Sequence, residues 1–206
     1  MSQKVCDPAT RVTKSLLGYG VIAGPIYVVV SLAQALTRKG FDPTRHAWSV
    51  LANGDLGWIQ VANLVVTGLM VVAAAVGLHR AIGGWAPRLL AVYGASLVAA
   101  GIFKADPAPD FPVGAQATTT LHGTLHFVVG GIGFGCLVAA CFVLARRFAA
   151  GGWATFSRVT GVLFLAGFLA IASGGTWAVV PFAATVLLAW TWLTMMSLHH
   201  YRAEEN

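Results

Sequence analysis

Six apolar stretches set the limits on what this chain can fold into. They are Ser15 to Leu36, Trp58 to Leu78, Pro87 to Phe103, Leu121 to Leu144, Val159 to Ile171 and Trp177 to Leu198, and within them charge is almost absent. A helix needs about 20 apolar residues to cross the hydrocarbon layer, and a spanning backbone must satisfy its own hydrogen bonds, so these runs predict helices. The fold class is therefore all-α: a polytopic membrane helical bundle of six transmembrane helices. Composition supports the reading, because only 10% of the residues are charged against roughly 25% in soluble domains. Residues 1–14 form an N-terminal tail, 15–198 the membrane domain and 199–206 a C-terminal tail, with no room for a separate soluble domain.

Six spans put both termini on one side. That side carries Lys4, Arg11, Lys14, Arg80, Arg88, Arg146, Arg147, Arg158 and Arg202, and the other carries Arg38, Lys39, Arg45 and Lys104. By the positive-inside rule the termini are cytoplasmic, in a multi-pass protein of the inner membrane whose two long polar loops face outward. The first run also resembles a signal peptide, but its length favours a retained helix, kinked at Pro25. Net charge is +6, yet the basic residues sit at span ends instead of forming a patch, which excludes a nucleic-acid partner. The partner is the lipid bilayer, and the oligomeric state is left open. Cys6, Cys136 and Cys141 form no metal or disulfide pattern and read as small hydrophobes. Trp153, Trp177, Trp190 and Trp192 read as interfacial or lipid-facing anchors.

An internal repeat is visible. Asn63 to Leu69 aligns with His126 to Ile132, and GGWA at Gly83 to Ala86 recurs at Gly151 to Ala154, so spans two and three echo spans four and five. Both copies run in the same direction, a parallel repeat of the kind some transporters use, with Asn63 and His126 at matching depths.

The candidate chemistry lies around the loop from Asp106 to Thr120. His122 and His126 are four residues apart on one helical face, a spacing that suits a shared metal or proton. His46 and Asp106 are on the same side of the membrane. A set of His46, His122 and His126, with Asp106 as ligand or base, is chemically sufficient for a divalent metal such as zinc. The simpler alternative has Asp42, Arg45 and Asp106 pinning the loops by ion pairs and the histidines hydrogen bonding across helices. Ser49 near His46 is a further nucleophile candidate, and the glycines from Gly123 to Gly135 and at Gly161 and Gly167 serve close helix packing.

FDPTRHAWSVLANGDLGWIQVAN at Phe41 to Asn63, FKADP at Phe103 to Pro107 and TLHGTLH at Thr120 to His126 together resemble a bacterial and archaeal membrane family, domain of unknown function 998. The resemblance implies a six-helix bundle and matches Asp42, Arg45, His46, Ser49, Gly57, Trp58, Gln60, Asn63, Asp106, His122 and His126 to motif positions, without supplying a reaction. A more distant similarity is to the membrane hydrolases that include alkaline ceramidases and adiponectin-type receptors, with Ser49, Asp106, His122 and His126 as the counterparts of their zinc-site residues. This chain departs from them in having six spans and in carrying HxxxH on the fourth. Three functional expectations follow. The first is an outward-facing polar pocket for a small polar or lipid-head-group ligand, bound by Asp42, Arg45, His46, Ser49, Gln60 and Asn63. The second is a metal-dependent hydrolase at the outer leaflet, with Asp106, His122 and His126 catalytic. The third is a small transporter or accessory subunit.

Overall fold

The computed structural model describes residues 7–148 and 150–204; Cys6, Lys4 and the extreme ends of both tails lie outside them. Six helices are long and apolar enough to cross a membrane: α1 (Pro8–Thr37), α2 (Gly57–Ile82), α3 (Trp85–Ile102), α4 (Leu121–Arg147), α5 (Gly152–Ala172) and α6 (Val179–Ala203). The shortest, α3, has 18 residues, which at about 1.5 Å per residue gives ~27 Å, close to the hydrocarbon thickness of about 30 Å. Two short 3-10 turns, Trp48–Ala52 and Thr176–Ala178, complete the regular structure. α1 starts at Pro8, earlier than the apolar run suggests, and passes through Pro25 without a break.

Each helix packs against its neighbours in sequence, and α6 closes on α1, so the bundle is a ring. The tightest seam joins α2 to α3. A Cβ at Gly68 would sit 2.7 Å from the Gly94 carbonyl oxygen, and one at Gly94 2.7 Å from that of Gly68. The two backbones therefore touch, as small residues permit where lipid offers no hydrophobic drive for association. Both GGWA copies sit at a helix start, but one residue out of register: Gly84, the second glycine of its copy, precedes α3, whereas Gly151, the first of its copy, precedes α5, each with positive φ. This leaves two unlike ends, a terminal face with tight turns and a loop face built from residues 38–56 and 103–120.

Two of the expected tryptophan anchors are core residues instead. Trp192 is fully buried and donates its indole N–H to Ser157 Oγ at 2.9 Å, and buried Trp190 stacks on Tyr27 with ring centroids 4.8 Å apart. Trp190 is buried against α1 and Trp192 against α5, and an indole whose N–H finds a partner is stable inside. Trp177 is 69% exposed and Trp153 packs on His199.

Candidate functional site

The loop face is held together by side chains that satisfy helix ends. α3 stops at Ile102, which leaves its last carbonyls without partners. His126, one and a half turns into α4, reaches across: its Nδ1 lies 3.0 Å from the Ala100 carbonyl oxygen and 2.8 Å from that of Phe103. Both oxygens can only accept, so Nδ1 carries the proton and donates to the pair. The reverse debt at the start of α4 is met from the α3 tail. Thr120 caps α4 by accepting from the Gly123 N–H, and Asp106 accepts from the Thr120 N–H at 3.0 Å and hydroxyl at 2.6 Å. A carboxylate there also suits the positive end of the helix dipole. The Asp106 carboxylate fills the space a Cβ at Gly123 would take, so TLHGTLH needs its glycine. His122 shares the face of His126 as expected, but it is exposed and its ring lies 5.8 Å from that of Phe103.

The first loop is pinned in the same way. Arg38, just past α1, donates to the carbonyls of Leu51 and Asn53 at the end of the 3-10 turn and lies over the Phe111 ring. Its burial pushes the guanidinium below its ordinary value, with Asp55 acting in the opposite sense. Asn53 donates onward to the Ala105 carbonyl at 3.0 Å, joining the two loops. His46 is buried between Phe41 and Phe111. Its Nδ1 accepts from the Asp42 N–H at 3.1 Å, and its Nε2 donates to the Pro109 carbonyl at 3.0 Å. Asp42 accepts from the N–H and hydroxyl of Thr44, which hold its carboxyl below the usual range, the hydroxyl contributing most. Arg45 is exposed.

Beneath these loops, inside the ring, is a cavity of about 160 Å3. His46, Ser49 and His126 line it together with Tyr27, Tyr93 and Ser96, and the remainder is apolar, dominated by Phe127, Phe134, Phe164, Phe168 and Phe182. Gln60 and Asn63 do not line it. They belong to a buried ladder between α1 and α2, in which Gln60 Oε1 accepts from Gln34 Nε2 at 2.8 Å and Asn63 Nδ2 donates to the Tyr27 carbonyl at 3.1 Å and to Ser31 Oγ at 3.2 Å. Asn63 and His126 each donate to a backbone carbonyl of the preceding helix. Asp42, Arg45, Asp106 and His122 also lie outside the cavity lining.

The donor set for a metal is not assembled. Among the described residues no group of three or more His, Cys, Asp or Glu side chains is arranged to hold an ion. His46 has both ring nitrogens engaged, and His122 is exposed and not part of the lining that His46 and His126 share.

The family described as Protein of unknown function (DUF998) matches residues 21–199, which include all six helices in whole or in part. The chain belongs to the DUF998 family. No curated protein and no solved structure matches it. In this DUF998 chain the HxxxH and FKADP segments meet as one brace between α3 and α4. The cavity residues that sequence reasoning missed, Tyr27, Tyr93, Ser96 and the phenylalanines, sit inside apolar runs, where periodicity alone does not separate a cavity wall from ordinary core.

Proposed function

We propose that this membrane protein binds a small amphipathic molecule, with its apolar body in the cavity of the ring and its polar end at His126 and Ser49 beneath the loop face. The observation that carries this is the lining, in which His46, Ser49 and His126 from the loop face meet a mainly apolar wall rich in aromatic side chains. Volume decides how much of a ligand enters. About 160 Å3 matches the ~150 Å3 apolar cavity that takes up benzene and falls short of the roughly 300–1,000 Å3 of a pocket for a drug-sized ligand. A ring or a short hydrocarbon segment fits, and a whole lipid head group does not. The Lys and Arg asymmetry, nine on the terminal side against four on the loop side, supports an outward-facing mouth with both termini in the cytoplasm. Binding is favoured over hydrolysis, because Asp106 is committed to the α4 cap and neither it nor His122 lines the cavity.

Native mass spectrometry of protein extracted in mild detergent tests this reading. We expect a bound small apolar adduct on the wild type, and less of it on Gly131→Leu, whose side chain enters the cavity. An adduct equally abundant on both contradicts the reading. EDTA dialysis is expected to leave adduct and melting midpoint unchanged; a fall in either would favour the metal-dependent alternative.

A further inference from the structure

The hydrogen bonds behind the cavity fix which polar group its ligand presents, an inference that rests on the binding reading above. His46 lines the cavity, but neither of its ring nitrogens is free, since Nδ1 accepts from Asp42 and Nε2 donates to Pro109. The Ser96 hydroxyl gives its proton to the Tyr93 carbonyl at 2.7 Å, so toward a ligand it can only accept. His126 differs from His46. The carbonyls of Ala100 and Phe103 hold the proton of the neutral ring on Nδ1, which leaves Nε2 with a lone pair and no partner among the described residues. His126 itself is only partly buried and lines the cavity.

We infer that the cavity selects a neutral, hydroxyl-bearing apolar molecule, an alcohol or a phenol, whose O–H donates to His126 Nε2. A carboxylate or phosphate, which can only accept, meets a lone pair at this nitrogen and loses its hydration in an apolar wall. A plain hydrocarbon fits the volume but leaves Nε2 unpaired. Ser49, Tyr27 and Tyr93 also bring hydroxyls to the lining, and a hydroxyl can both donate and accept, so they do not reverse the preference set by His126.

The test uses the full chain in lipid nanodiscs at pH 8, where an ordinary imidazole is neutral. Three probes of one ring size, benzyl alcohol, toluene and benzoate, are titrated by ligand-observed NMR with free concentrations measured. Benzyl alcohol is expected to bind about fivefold more tightly than toluene, the worth of one net hydrogen bond, and benzoate more weakly than either. In 15N-histidine protein, the unprotonated nitrogen resonance of His126, assigned by its loss in His126→Gln, should move upfield with benzyl alcohol and stay fixed with toluene. Equal binding of benzyl alcohol and toluene, tighter binding of benzoate, or a His126 resonance indifferent to benzyl alcohol overturns the hydroxyl preference while leaving the cavity a binding site. Failure of all three probes to bind overturns the binding reading and this inference with it.

Discussion

Asp106, Gly123 and His126 show how closely chemistry and packing are joined at single positions. Ala at position 123 would push the Asp106 carboxylate off Thr120. The lost charge-assisted bonds are worth about 1.5–3 kcal/mol each, and the better helix propensity of Ala returns only about 1 kcal/mol. Gly123→Ala is therefore expected to lower stability by about 1 kcal/mol or more, and in an Asp106→Ala background the same change should raise it, read as melting midpoints in detergent. Replacing His126 by Ala removes the donor for two carbonyls at the end of α3, those of Ala100 and the capping Phe103, and should cost about 1–2 kcal/mol, with His126→Gln costing less because an amide N–H can take its place. Asp42 carries a pH signature. Its carboxyl is depressed by Thr44, so its contribution is complete above the unfolded-state value and is lost as pH falls through the lower folded one. Thr44→Val should flatten the acid limb of a melting-midpoint profile between pH 5 and pH 2, chosen to bracket an ordinary carboxylate of about 3.9; an unchanged limb would assign it to other groups. The HxxxH spacing was legible as a shared face, but its target, the open end of α3, was not, because no local pattern says which carbonyls a side chain will find.

Between elements, the α1–α2 ladder makes the sharpest contrast. Gln60 Oε1 is the acceptor for Gln34, while Gln34 Oε1 and Asn63 Oδ1 are buried without partners. Gln60→Leu should therefore destabilise by about 1–2 kcal/mol, and Gln34→Leu by less, since it also removes an unpaired oxygen. Equal costs in thermal unfolding would mean that ordered water meets those oxygens. Helix existence and order were readable from hydropathy, and the helices run past the apolar runs at most ends: α5 begins at Gly152, not Val159, and α4 continues to Arg147. Hydropathy ends where charge begins, whereas a helix ends where its hydrogen bonds do. The tryptophans mislead for a related reason: Trp190 and Trp192 lie within the last span but are buried against neighbouring helices, where Tyr27 and Ser157 decide their place.

At the scale of the whole molecule, the ring closed by α1 and α6 encloses space that six helices in sequence order do not announce. No single run reveals it, because its wall takes residues from all six helices and from the segment after α1. The most direct test of the account is the melting midpoint in nanodiscs against toluene concentration, for the wild type and for Ala183→Phe, whose ring occupies the cavity. We predict a saturable rise for the wild type, beyond whatever toluene does to the lipid, and only the lipid effect for the variant. The same response from both would contradict a ligand site inside the ring.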